Sequence, residues 1–178
     1  ARLAELRPDV VVTAAWSGLL NASSLAAARI AALNVHPSLL PRYRGAAPVE
    51  RALMAGEQLH GVTVMHLAKD LDAGDIILQR EVNLGADADA GRARALLAQA
   101  GGELLVSALD LLSRSEAPRT PQDHRLATWA PKLDPKDERI TWEMTAAEIA
   151  NRVLALSPSP GAYFEFGGQR VKLVEARA

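Results

Sequence analysis

Apolar residues fall along this chain in several rhythms, and each predicts a different element. Val10-Val11-Val12-Thr13-Ala14-Ala15-Trp16 is almost continuously apolar, the pattern of a strand covered on both faces. The Ala-rich stretch from Ser23 to Ala32, capped by Ser23 or Ser24, suits a crossover helix, and Leu33 to His36 is the next strand. Strand, helix and strand in that order form a βαβ unit with a right-handed crossover in a parallel sheet. Pro48 to Ala55 reads as a short helix that opens on proline and is capped by Gly56. Val62 to Leu67 alternates and is β-branched, and Ile76 to Val82 is a further strand. Between Asp87 or Asp89 and Ser113, Leu97, Leu104, Ala108 and Leu112 recur at helical spacing, which predicts a long helix over one face of the sheet. Gly101-Gly102 inside it predicts a kink or a close approach.

The rhythm changes after Ser113. Ser115 to Gln122 is rich in proline and polar residues, as a linker is. Beyond it come Arg139 to Trp142, a helix from Thr145 to Leu156 with Thr145 and Glu148 at capping-box spacing, and a hairpin from Tyr163 to Leu173 about Gly167-Gly168. The organisation predicted is one unit over residues 1–114, a linker over 115–126 and a second unit over 127–178.

Composition narrows the classes. The chain has 178 residues, 49% hydrophobic, enough to bury a core in one domain or one domain and part of another. With a net charge of −1, any nucleic-acid contact must come from a local patch, for which Arg42 and Arg44 are the candidates. Cysteine is absent, which excludes a disulfide scaffold and thiolate metal sites and fits a cytoplasmic setting. No unbroken apolar run approaches about 18 residues and no signal-peptide pattern opens the chain, so neither a membrane span nor a membrane partner is expected. Aromatic residues make up 4%, too few to favour a stacking platform for single-stranded nucleic acid. No His-x-x-x-His pair or carboxylate cluster stands at ligand spacing, so no metal is expected.

The candidate chemistry lies where a strand breaks at a proline. Asn34 and His36, two apart on an extended segment, project to one side, while Leu33 and Val35 go to the other. Pro37 keeps His36 extended and places it at the strand's last position, the end at which open α/β sheets bind ligands. A second polar segment, Asp70 to Asp75, reads as a turn in which Gly74 allows a sharp reversal and Asp72 points into the crevice. His60 and His66 are read as structural, and His124 as solvated.

Asn34-Val35-His36-Pro37-Ser38-Leu39-Leu40-Pro41, continued by Arg42-Tyr43-Arg44-Gly45-Ala46-Ala47-Pro48, resembles the signature of the folate-dependent formyltransferases, most closely the members that act on methionyl-tRNA. Gly61-Val62-Thr63-Val64-Met65 leading to Leu71-Asp72-Ala73-Gly74-Asp75 resembles that family's other catalytic segment. The resemblance implies an α/β fold: the second, mostly parallel half of a Rossmann-like formyltransferase sheet, followed, from Ala127 to Leu133 and Ser157 to Tyr163 onward, by the start of an OB-like β-barrel. It also implies a chain truncated at both ends, short of about seventy residues at its start and inactive alone. Ala15-Trp16-Ser17-Gly18-Leu19-Leu20 stands where the family has an Ala-Tyr-Gly turn.

The same resemblance implies Asn34, His36 and Asp72 as catalytic residues, Ser38, Leu39, Leu40 and Pro41 as the lining of the tetrahydrofolate site, and Arg42 and Arg44 facing a tRNA acceptor stem. It implies 10-formyltetrahydrofolate as formyl donor, initiator methionyl-tRNA as partner, and a monomer. Such a transfer proceeds by direct amine attack and requires no enzyme nucleophile; Asn34 and His36 offer donors to the developing oxyanion. His36 can also handle the amine proton, and Asp72 orients the imidazole, raises its pKa through the nearby negative charge, or holds a water that takes that proton. Rival readings are a formyl-folate hydrolase, a sugar-nucleotide formyltransferase, and a non-catalytic α/β binding module, which does not require the three side chains to converge. The Arg-Tyr-Arg-Gly-Ala-Ala-Pro loop and Ala130-Pro131-Lys132-Leu133 favour the tRNA-acting reading.

Overall fold

The computed structural model describes residues 2–16 and 22–178. In chain order the elements are α1 (Arg2–Leu6), β1 (Val10–Ala14), α2 (Ala22–Leu25), β2 (Ala31–His36), β3 (Arg44–Gly45), α3 (Pro48–Met54), β4 (Leu59–His66), β5 (Ile76–Asn83), α4 (Ala90–Ser113), β6 (Trp129–Ala130), α5 (Ala146–Leu156), β7 (Ala162–Phe166) and β8 (Gln169–Leu173). Four strands hydrogen-bond in the order β1-β2-β4-β5. β1 and β2 run parallel, as the βαβ reading requires, but β2 with β4 and β4 with β5 are antiparallel. The expected mostly parallel sheet is therefore a mixed one. After β2 the chain turns back through the proline-bounded loop and the short helix α3, and a turn over residues 67–75 suffices to reverse it again between β4 and β5.

Two local expectations give way to tertiary pairing. The helix expected from Ser23 to Ala32 spans only Ala22–Leu25, with Ser23 and Ser24 inside it, because Ala31 and Ala32 pair with Val10 and Val11 and extend β2. Strand β1 is not covered on both faces: it stands at the edge of the four-stranded order, and Val12 is 38% exposed. Residues 17–20 of the departing Ala15 to Leu20 turn lie outside the described residues.

Helix α4 runs unbroken, opened by the Asp89 side chain, which accepts from the Arg92 N–H at 2.7 Å. Gly101 produces no kink; a Cβ there would come within 2.9 Å of Val35 Cγ1, so the glycine lets the helix settle onto the sheet. Ala93, Leu97, Ala100, Leu104 and Ala108 are buried in the same core as Leu33, Val62, Val64 and Ile77. Each large aliphatic chain so buried contributes about 1.5–3 kcal/mol. By length and composition α4 is apolar enough to cross a membrane; here it lies across β4 and β5. Because Leu33 and Val35 face α4, Asn34 and His36 face the other way.

The C-terminal residues make a smaller cluster of Ile140, Val153, Leu156 and Ala162. Helix α5 begins with the expected capping box: Thr145 Oγ1 accepts from the Glu148 N–H at 3.2 Å, and Glu148 Oε2 accepts from the Thr145 N–H at 2.8 Å. Strands β7 and β8 pair about Gly167 and Gly168, whose φ values of +56° and +77° are those of a primed hairpin turn. Met54 of α3 packs against both clusters.

Arg51 joins the two parts more firmly. Its guanidinium donates to Asp137 Oδ1 at 2.9 Å and Oδ2 at 2.7 Å, and to the carbonyls of Pro131 and Lys132 at 3.1 Å each. That fork holds the Asp137 carboxyl below the usual carboxylate range. Arg51→Ala is expected to lower unfolding free energy by about 1–3 kcal/mol, and Arg51→Lys to recover little of it, since an ammonium cannot span both oxygens; urea melts check both. The Asp137 contribution is full above the ordinary carboxylate pKa of about 4 and is lost as pH falls through the lower folded value. The stability gap between wild type and Asp137→Asn, measured from neutral pH downward, should therefore close in acid.

Candidate active site

Two cross-strand rungs build the polar face opposite α4. Thr13 pairs with Asn34 and Asn34 with Met65; one rung on, His36 pairs with Thr63 and Thr63 with Gln79. Opposed residues share a face, so the strand register carries Thr13, Thr63 and Gln79 to Asn34 and His36. Thr63, fully buried, donates from Oγ1 to the Ser38 carbonyl at 2.7 Å and accepts from the Leu40 N–H at 3.2 Å. Gln79 Nε2 donates to the Leu40 carbonyl at 2.8 Å and to Thr63 Oγ1 at 2.9 Å. The loop after His36 is thus clamped to the sheet from beneath.

The clamp decides what that loop can offer. Ser38 and Leu40 are 5% and 3% exposed, and the Ser38 hydroxyl donates to the Arg42 carbonyl at 2.6 Å. Both side chains pack inward, and Ser38 still lies on the wall of a small cavity beside Pro37, Leu39 and Tyr43. Leu39 and Pro41, half-buried, keep open surface.

Asn34, His36 and Asp72 do converge. Thr13 Oγ1 donates to Asn34 Oδ1 at 2.9 Å, which turns the amide nitrogen Nδ2 toward Asp72 Oδ1, 3.5 Å away. A carbonyl only accepts, so the 2.9 Å contact between His36 Nε2 and the Tyr43 carbonyl places a proton on Nε2. That leaves Nδ1, 3.7 Å from Asp72 Oδ2, as the nitrogen free for chemistry. Asp72 Oδ2 also accepts from the Gly45 N–H at 2.9 Å. Gly45 has φ +124°, and a Cβ on it would lie 2.6 Å from the Ala130 carbonyl oxygen; only glycine presents its N–H from this position.

The turn carrying Asp72 differs from its expected form. Asp72 itself adopts the left-handed conformation, with φ +50°. Gly74 is needed for space, not for reversal, since a Cβ there would overlap the His66 carbonyl. Gln122 Nε2 donates to the carbonyls of Asp72 and Gly74 at 2.9 and 2.8 Å, and Gln122 Oε1 accepts from Arg44 Nε at 3.1 Å.

The two arginines part company. Arg44 is 4% exposed, committed to Gln122 and to His124 Nδ1 at 3.2 Å, so it does not face a solvent-side phosphate. Burial pulls its pKa down, opposed by the nearby Asp72 and Asp70 carboxylates. Arg42 is exposed, ion-paired to Glu57 and set over the Tyr43 ring at 5.3 Å. The Tyr43 hydroxyl, half-buried and bonded to Glu57 at 2.9 Å, is pushed up to about 12. His60 and His66 lie outside the site. His60 Nε2 contacts the Glu57 carbonyl at 2.8 Å, His66 pairs with Leu33 on the α4 side, and burial lowers both pKa values. Among the described residues no group of His, Cys, Asp and Glu is gathered as a metal site would be.

Thr13, Gln79 and Gln122 carry no motif of their own, while Gly45 and Thr63 lie inside the two resembling segments without being singled out there. Knowledge of the strand register would have found Thr13, Thr63 and Gln79; nothing local marks Gln122.

The family model described as formyl transferase matches residues 1–109, and that described as formyl transferase, C-terminal domain, matches residues 132–178. Methionyl-tRNA formyltransferase of Carboxydothermus hydrogenoformans is 45% identical over 172 residues, 97% of this chain and 56% of that protein. The chain spans about half the length of the curated relatives it matches. Among solved structures, HypX from Aquifex aeolicus in complex with tetrahydrofolic acid superposes with a TM-score of 0.83 at 25% identity, over 97% of this chain and 30% of that one. Methionyl-tRNA formyltransferase from Clostridium thermocellum shares the fold, with a TM-score of 0.75 at 18% identity over 94% of this chain and 71% of that one. Two models laid end to end leave only residues 110–131 unmatched, and the chain belongs to the formyl transferase family.

Proposed function

We propose that this chain carries the catalytic centre of a methionyl-tRNA formyltransferase, which moves a formyl group from 10-formyltetrahydrofolate to the amino group of initiator methionyl-tRNA. The observation that carries the reading is the meeting of an amide, an imidazole and a carboxylate from segments 38 residues apart, each held by a separate partner. Plain binding demands no such convergence. The relatives named for this activity and the tetrahydrofolate bound by a similar structure support the choice of acceptor and donor.

The formyl donor supplies an activated carbonyl, on whose oxygen charge builds as the carbon becomes tetrahedral. Asn34 Nδ2, aimed by Thr13, is the donor to that oxygen, and one such donor contributes about 2.7–4 kcal/mol. The amine nitrogen bonds to the formyl carbon and His36 Nδ1 takes the proton it releases. The imidazolium so formed has a proton on each nitrogen, one on the Tyr43 carbonyl and one toward Asp72, which stabilises it. Asp72 therefore acts as orienter and counter-charge. Collapse of the tetrahedral carbon breaks its bond to the folate N10, which leaves as tetrahydrofolate with that proton. Leu39 and Pro41 offer the surface against which the pterin rests, Arg42 meets the tRNA backbone, and residues 127–178 open an OB-like domain.

Incubation of the purified protein carrying this chain with 10-formyltetrahydrofolate and methionyl-initiator-tRNA should yield formyl-methionyl-tRNA, with His36→Ala slower by about 10²–10⁴-fold. Formate release at the same rate without acceptor would assign a hydrolase, and formylation of a nucleotide-linked amino sugar in place of the tRNA would assign the sugar branch. Unchanged transfer by His36→Ala would end the catalytic reading. For Arg42→Ala the expected result is weaker tRNA binding with the salt slope reduced by about one unit; filter binding across salt concentrations measures it, and an unaltered slope removes Arg42 from the interface.

A further inference from the structure

We infer that Gln122 is the positioning residue for the catalytic carboxylate, an assignment that rests on the formyl-transfer reading of Asp72. Gln122 lies 50 residues from Asp72 in the irregular stretch between α4 and β6, and it is 6% exposed. Its amide is fully used. One Nε2 hydrogen goes to the Asp72 carbonyl at 2.9 Å and the other to the Gly74 carbonyl at 2.8 Å, while Oε1 accepts from Arg44 Nε at 3.1 Å and Nη2 at 2.5 Å. An amide has two donor hydrogens and an oxygen with two lone pairs, so nothing is left over.

Filling the space would need only an apolar side chain of the same volume. What Gln122 does is bracket the turn on both sides of Ala73, where Asp72 holds a left-handed φ of +50°, a region in which aspartate is one of the few side-chain-bearing residues tolerated. Its other end holds Arg44, the residue before Gly45, whose N–H donates to Asp72 Oδ2. One side chain thereby ties together the main chain bearing the carboxylate and the main chain that orients it. Losing that tie frees Asp72 to swing from His36 Nδ1, which matters when the imidazolium forms and not when the formyl donor binds.

Gln122→Glu is the discriminating substitution: it keeps the shape and the acceptor for Arg44 and removes both donors. At unchanged circular dichroism, kcat for formyl transfer to methionyl-initiator-tRNA should fall by about tenfold to a hundredfold, with KM for 10-formyltetrahydrofolate within about twofold. In an Asp72→Asn background, read by single turnover at high enzyme concentration, the same substitution should cost nothing further. If Gln122→Glu does not fold, Gln122→Met enters the same cycle. Wild-type kcat in the Gln122 variant, or an equal loss with and without Asp72, would overturn the assignment. Full activity of Asp72→Asn alone would instead overturn the reading on which it rests.

Discussion

A single carboxylate, Asp72, is the point on which the site converges, and it is held from several directions. Its oxygens face Asn34 and His36 and accept the Gly45 N–H, while its main chain sits in the left-handed region. A free carboxylate on a surface turn would sample many rotamers, and its interaction with an imidazole would be diluted accordingly. Largely shielded from solvent, hydrogen-bonded and opposed to one nitrogen of a histidine whose other nitrogen is already committed, Asp72 has far fewer rotamers open to it.

The polar face is an outcome of sheet register as much as of side-chain choice. A one-residue slip between β2 and β4 would send Asn34 and His36 into the α4 core and bring Leu33 and Val35 out. The apolar set on the α4 side, closed over Gly101, forbids that slip. Burial of the hydrophobic face and assembly of the polar face are therefore one energetic event, and the clamp of Thr63 and Gln79 on the following loop depends on the same register.

Much of this was readable in the residues. The period-two placement of Asn34 and His36, the proline after them, the Thr145 cap, the two-glycine hairpin and the long helix opened by Asp89 all stand as local chemistry predicts. What local pattern did not disclose was tertiary. Ala31 and Ala32 favour helix and were drawn into a strand by their partner, and the direction of strand pairing after β2 is settled by the connection. Arg44 looks from its neighbours like a surface cation, yet Gln122, 78 residues away, gives it a buried partner. Gly74 looks like a hinge but is a clearance for the His66 carbonyl.

The short parallel pairing of β3 with β6 has a mechanical consequence. Gly45 lies against Ala130, and Arg51 grips the carbonyls of Pro131 and Lys132 immediately beyond. The strip of backbone that leads out toward the C-terminal helix and hairpin is thus the wall behind the N–H that aims Asp72. A displacement of that strip would carry Gly45 with it, so the position of the C-terminal residues and the aim of the Asp72 carboxylate are mechanically linked.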